Sequence, residues 1–142
     1  MTKTIAHAML GDCIVVAFGG TPSAREWDAY LQFLRRTLGH RQRSLVVAEG
    51  TLSNAQRREM EAAVGPHRER DRRVAIVVQS TLVRGFVMAL SAFDPTFRAF
   101  SPRDLEAALR YVDVLPSAIP AGIQLIHELR REIGLPPWSI AQ

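Results

Sequence analysis

Four hydroxyl residues stand where apolar runs give way to helix-forming sequence. Thr51 and Ser53 follow Leu45-Val46-Val47-Ala48, and Ser80 and Thr81 follow Val74-Ala75-Ile76-Val77-Val78. A hydroxyl beside a helix N-terminus is a suitable phosphoacceptor, because an added phosphate meets unpaired amides and the positive end of the helix dipole. Without phosphorylation, Thr51 and Ser53 are simply loop and cap residues, and Ser80 or Thr81 begins a helix. A third junction, Phe18-Gly19-Gly20-Thr21-Pro22-Ser23, is glycine-rich between strand and helix. Gly19, Gly20, Thr21 and Ser23 form a candidate anion-binding loop, with a turn followed by an ordinary cap as the alternative. The loop is neither Gly-x-Gly-x-x-Gly nor a P-loop ending in Lys-Ser/Thr.

Other chemistry finds little support. His7, His40, His67 and His127 are spread over unrelated segments, and His127-Glu128 has Arg131 where a zinc peptidase helix places its second histidine. No metal or other cofactor is expected. Cys13 is the single cysteine and lies in the apolar run Ile14-Val15-Val16-Ala17-Phe18, which predicts a buried, inert thiol and no disulfide. Gly-x-Ser-x-Gly is missing, and Asp94 and Asp104 fall on helix boundaries where structural roles suffice. The expectation is a protein that is not an enzyme.

Charge points the same way. The chain carries 18 basic and 14 acidic residues, a formal net charge of +4, and Lys3 is its one lysine. Arginine-heavy usage fits a GC-rich coding genome or a phosphate-holding patch. In the densest group, Arg57, Arg58, Arg68, Arg70, Arg72 and Arg73 are interrupted by Glu59, Glu61, Glu69 and Asp71. Nucleic acid demands a more coherent field, so a solvated surface is expected and nucleic acid is not.

The elements that must hold the junctions follow from periodicity. Thr4 to Met9 and Cys13 to Phe18 read as a hairpin about Leu10-Gly11-Asp12. Ser23 and Glu26 have capping-box spacing before a helix whose stripe is Trp27, Leu31, Leu34 and Leu38, with Gly39 at its stop. Leu45 to Ala48 is a strand, and Ser53 with Gln56 repeats the cap before a helix carrying Met60, Ala63 and Val64. Arg68 to Arg73 reads as an exposed approach to Val74–Val78, which has too little alternation for a water-facing edge and suits an interior parallel strand. A helix with Leu82, Val83, Phe86, Val87 and Leu90 follows. Thr96 to Phe100 is a strand, and Ser101-Pro102-Arg103-Asp104 opens a helix that buries Leu105, Leu109 and Val112. After Pro116 and Pro120, Ala121 to Ile133 forms a last helix, ending at Gly134-Leu135 before Pro136-Pro137-Trp138.

The 142 residues suffice for one sizeable core, and 47% hydrophobic content with 23% charged is a globular composition. The predicted fold is α/β, a four- or five-stranded mixed sheet opening with a hairpin, helices packed against it, and an added C-terminal helix. Residues 1–115 read as the α/β domain and 116–142 as a helical appendage that packs on its own domain or on a partner. The opening Met1-Thr2-Lys3-Thr4 predicts no signal peptide and a cytoplasmic protein, and no apolar stretch is long enough for stable membrane insertion.

The order of elements from Thr4 to Leu115 resembles the STAS or SpoIIAA-like family, which includes anti-sigma factor antagonists. Two passages carry the likeness. Val74-Ala75-Ile76-Val77-Val78-Gln79-Ser80-Thr81-Leu82-Val83-Arg84-Gly85 is similar to the family's central strand-to-helix junction. Thr96-Phe97-Arg98-Ala99-Phe100-Ser101-Pro102-Arg103-Asp104-Leu105-Glu106-Ala107-Ala108-Leu109 is similar to its final strand and helix. The resemblance implies a non-enzymatic bacterial signalling or protein-interaction module with a protein partner; exposed strand edges and the amphipathic tail add the expectation of a homodimer. In anti-sigma antagonists a phosphorylatable hydroxyl follows an aspartate near the start of the second helix. Thr51 holds that position here, with Glu49 in place of the aspartate and Gly50 between them. The other expectation is a small-molecule or lipid-binding α/β protein, with its cavity between the sheet and the Trp27/Leu31 or Phe86/Leu90 helices.

Overall fold

A computed structural model of the chain describes residues 3–37, 41–49, 55–56, 58–59, 62, 71–81, 84–85, 88, 95–136 and 138. Its first strands, β1 (Ile5–Leu10) and β2 (Cys13–Phe18), pair antiparallel from Ile5 opposite Phe18 to Leu10 opposite Cys13. The two residues between them turn the chain, and Gly11 takes a φ of +61°, a left-handed conformation that side chains resist. β3 (Arg41–Ala48), β4 (Asp71–Val77) and β5 (Phe97–Phe100) complete a sheet in the order β1-β2-β3-β4-β5. From β2 to β5 every neighbour is parallel.

β4 lies between two parallel partners, as its run of Val and Ile requires, with Val74, Ala75, Val77 and Val78 buried. β3 and β4 begin earlier than apolarity alone indicates. Arg41–Ser44 and Asp71–Arg73 belong to the ladder, so part of the charged approach to Val74 is strand. Their charges are neutralised sideways. The Arg43 side chain is 3% exposed and is held by Asp71 at 3.0 Å and Asp113 at 2.7 Å, while Arg41 meets Asp12 at 2.8 Å and Asp113 at 2.7 Å. Thr96 is in the turn before β5 rather than in the strand.

Each face of the sheet has its own helical cover. α1 (Ala24–Thr37) buries Trp27, Tyr30, Leu31 and Leu34 against Ile5, Ile14, Val16 and Phe18. Its start follows the capping-box spacing: the Glu26 amide donates to Ser23 Oγ at 3.2 Å, and that hydroxyl donates to Glu26 Oε1 at 3.0 Å. On the opposite face lie α2 (Leu105–Tyr111), entered through a 3-10 turn at Pro102–Asp104, and α3 (Ile119–Glu132). α3 starts two residues before the expected Ala121. Pro120 sits in its first turn, where a missing N–H costs nothing, instead of ending the linker.

α3 is part of the core. Ile126, Leu129, Ile133 and Trp138 share one buried cluster with Val15, Leu45, Val77 and Leu109. Gly122 makes the approach possible, since a Cβ there would meet Leu10 Cδ2 at 2.9 Å and both Leu109 methyls at 3.1 Å. The predicted stripes of the helices after β3 and β4 fall largely outside the described residues. So do Leu38 and Gly39 at the end of α1.

Candidate functional site

In a parallel sheet the carboxyl ends of neighbouring strands open side by side, and the loops leaving them are the natural place for recognition. Here those ends carry Gly19 after β2, Glu49 after β3, Gln79-Ser80-Thr81 after β4 and Ser101 after β5. Among the described residues, the rim is covered at β2 and β3 and exposed at β4.

The covered part is sealed by the chain's own C-terminal segment. α3 ends at Gly134, whose φ of +77° reverses the backbone, and the Leu135 amide returns to the Arg130 carbonyl at 2.9 Å. Leu135 and Ile133 then lie over Gly19, where a Cβ would stand 3.3 Å from their methyl carbons. Trp138 is buried, and its indole N–H donates to Glu49 Oε1 at 2.7 Å. Arg130 donates to the same oxygen at 2.7 Å, gives its other terminal nitrogen to the Pro136 carbonyl at 2.8 Å, and lies 3.9 Å from the centre of the Trp138 ring. His127 meets that ring edge-on at 5.8 Å. Glu49 is therefore the anchor of the tail.

This arrangement defines the glycine-rich loop. The Gly19 amide is already engaged with the Thr4 carbonyl at 3.0 Å, so it is not directed at an anion. Gly20 has open space around it, Thr21 is exposed, and Pro22 is buried with its carbonyl accepting from Gln56 Nε2 at 2.8 Å. Ser23 serves as the α1 cap. Its partner Glu26 also accepts from the Thr4 amide and hydroxyl, at 2.8 and 2.9 Å. Burial opposes ionisation of Glu26, but these donors outweigh it and hold its carboxyl below the usual range.

The open part contains Gln79, Ser80 and Thr81, all exposed, directly beyond buried Val78. The Arg84 amide donates to the Ser80 carbonyl at 2.9 Å, so helical bonding starts at this junction. The Arg84 guanidinium reaches back to the Val78 carbonyl and to Thr81 Oγ1, each at 3.4 Å. Gly85 leaves open space beside it, and Met88 is 63% exposed. Thr81, Arg84, Gly85 and Met88 have the spacing that places residues on one side of a helix. Sequence reasoning found Ser80 and Thr81 but not Arg84 or Met88, although their i+3 and i+7 spacing from Thr81 was readable. Thr51 and Ser53 lie outside the described residues.

Cys13 is buried, and desolvation pushes its thiol up to about 12. His7 is stacked on Phe33 at 4.3 Å, and burial lowers its pKa. Among the described residues no cluster of His, Cys, Asp and Glu has the arrangement to hold a metal ion, and no helix is long and apolar enough to cross a membrane.

The sequence matches no protein-family model and no curated protein. The three-dimensional arrangement does have a counterpart among solved structures. It is similar to an uncharacterised protein of the DUF3478 family with a SpoIIAA-like fold from Shewanella loihica, at a TM-score of 0.61 and 20% identity. The match covers 79% of this chain and 95% of that one. The antiparallel opening hairpin, the parallel run of strands and the helices packed against the sheet agree with the expectation from sequence, and the chain has a SpoIIAA-like fold.

Proposed function

We propose that this chain is a non-enzymatic bacterial regulatory or protein-interaction module that meets a protein partner at the carboxyl end of β4. The observation that carries this reading is the exposure of Gln79, Ser80 and Thr81 at the end of an interior strand, continued by Arg84 and Met88. A rigid sheet with an exposed polar junction and a flexible methionine beside it suits protein docking. Trp138 and Leu135 cover the neighbouring β2 and β3 ends, which concentrates recognition on the β4 side.

Phosphorylation is the regulatory element of the proposal. A phosphate on Thr81 would stand next to the Arg84 guanidinium, which is 3.4 Å from the hydroxyl, and would convert a weak contact into a charge-assisted one. Thr51 and Ser53 follow β3 in sequence, lie outside the described residues, and are proposed as further phosphoacceptors. Glu49, by contrast, is engaged by Arg130 and Trp138. Its role in holding the tail accounts for a carboxylate before Thr51 without any modification of that threonine.

The test is affinity capture from the native host with wild type, Thr81→Arg and Thr51→Ala, combined with phosphopeptide mapping of the four hydroxyls. The reading expects a reproducible partner that Thr81→Arg loses. A partner retained equally by Thr81→Arg and wild type would place recognition elsewhere.

A further inference from the structure

The segment that covers the β2 and β3 ends lies on the surface and is held mainly at its two extremities. After Gly134, whose φ of +77° turns the backbone, Leu135 is half-buried, Pro136 is exposed and Trp138 is buried. At one extremity the Leu135 amide closes the α3 cap on the Arg130 carbonyl at 2.9 Å, and its methyls rest on Gly19. At the other the Trp138 indole donates to Glu49 Oε1 at 2.7 Å and lies over the Arg130 guanidinium. Between them Pro136 and Pro137 have no N–H to give, and the Pro136 carbonyl accepts from Arg130 at 2.8 Å.

The closed position is built to be released without unfolding the sheet. The Glu49–Arg130 ion pair joins β3 to α3 directly, so it survives when the segment lifts and no buried charge loses its counter-ion. Among the described residues Arg130 Nε is buried without a hydrogen-bond partner, a cost of the closed state that water entering an open site relieves. The two prolines keep a lifted segment extended, so reclosing orders little chain. We propose that residues 135–138 are an autoinhibitory strap on the partner-binding rim. Closed, the strap occupies the carboxyl ends of β2 and β3; open, it leaves Gly19 and Glu49 to the same partner that meets the β4 end. This rests on the reading of the β4 end as a docking surface. Strap and partner then compete for one rim, and the apparent affinity is the intrinsic one scaled by the fraction of chains that are open.

Native-state hydrogen exchange of the full chain, read by NMR in rising sub-denaturing urea, tests the opening. The Trp138 indole N–H should exchange roughly a hundredfold or more faster than the β2 amides, after correction for intrinsic rates, and with little dependence on urea. Exchange of the indole in step with β2 at every urea concentration overturns the strap. Competition is read on the partner captured with wild type. Its binding should speed exchange of the Trp138 indole, and a partner that slows that exchange or leaves it unchanged overturns the autoinhibition. Trp138→Phe, which keeps a ring but gives up the donor to Glu49, should bind the partner roughly tenfold more tightly, and equal or weaker binding overturns it too. The wild-type measurement stands whether or not the variant folds. Failure to capture any partner overturns the docking reading and the autoinhibition with it, and the indole exchange separates that failure from a strap that does not open.

Discussion

Glu49 and Arg130 meet at 2.7 Å across 81 residues of sequence, tying the carboxyl end of β3 to the last turn of α3. The Arg130 side chain is 4% exposed, and the Glu49 carboxylate is its counter-ion. The Trp138 indole donates to the same carboxylate oxygen, which makes one side chain responsible for closing the tail over β2 and β3.

Glu49→Ala is therefore expected to lower unfolding free energy by about 3 kcal/mol, since it leaves a buried guanidinium without its carboxylate. Glu49→Gln keeps one acceptor and should lose less. Urea denaturation followed by Trp fluorescence measures both, and an Arg130→Met background should remove most of the Glu49→Ala penalty. Equal penalties in the two backgrounds would mean that the pair is not coupled.

Two glycines should respond oppositely to alanine. Gly122→Ala drives a methyl against Leu10 and Leu109 at 2.9 to 3.1 Å, and overpacking of about 1–3 kcal/mol outweighs the gain of nearly 1 kcal/mol in helix propensity. Gly85 has open space and helical backbone, so Gly85→Ala should stabilise by roughly 0.5–1 kcal/mol. Thermal melts of the two variants give the signs.

Acid sensitivity should centre on Asp113. Hydrogen bonds from Arg43 and then Arg41 hold its carboxyl below the ordinary aspartate value, against a smaller opposing effect of burial. A folded-state pKa lowered in this way adds stability above the ordinary aspartate pKa, and that stability is lost as pH falls through the lowered value. Asp113→Asn tolerates the φ of +62° at this position but gives up the charge. It should lose roughly 2 kcal/mol at neutral pH. Its stability should also fall less steeply in acid than that of wild type, with the slope from Glu26 remaining. Stability curves against pH for the two proteins decide this.

Cys13 should be silent toward thiol reagents in the native state. It is buried in β2, and burial raises its thiol pKa to about 12, so almost no thiolate is present at neutral pH. Labelling should occur only at the rate of unfolding and become fast in denaturant. Rapid labelling of the native chain would contradict the placement of β2.

The sequence was most informative where one physical demand dominated. The unbroken apolar run Val74–Val78 marked an interior parallel strand, and Ser23 with Glu26 marked the start of α1. It was least informative where distant residues cooperate. Arg41 and Asp71 open strands because Asp12, Asp113 and Arg43 neutralise one another across the sheet, and no local window contains those pairs. Glu49 read as the neighbour of a phosphoacceptor, since its partners Arg130 and Trp138 lie more than 80 residues away. Gly122 gave no signal within its own helix because the crowding comes from β1 and α2.

Amide hydrogen exchange of the chain, free and bound to its captured partner, tests the location of recognition most directly. Slowed exchange across residues 79–85 on binding is the predicted result, with residues 105–111 of α2 unaffected. Protection confined to α2 or to the Arg41–Asp113 end of the sheet, with residues 79–85 unchanged, would contradict it.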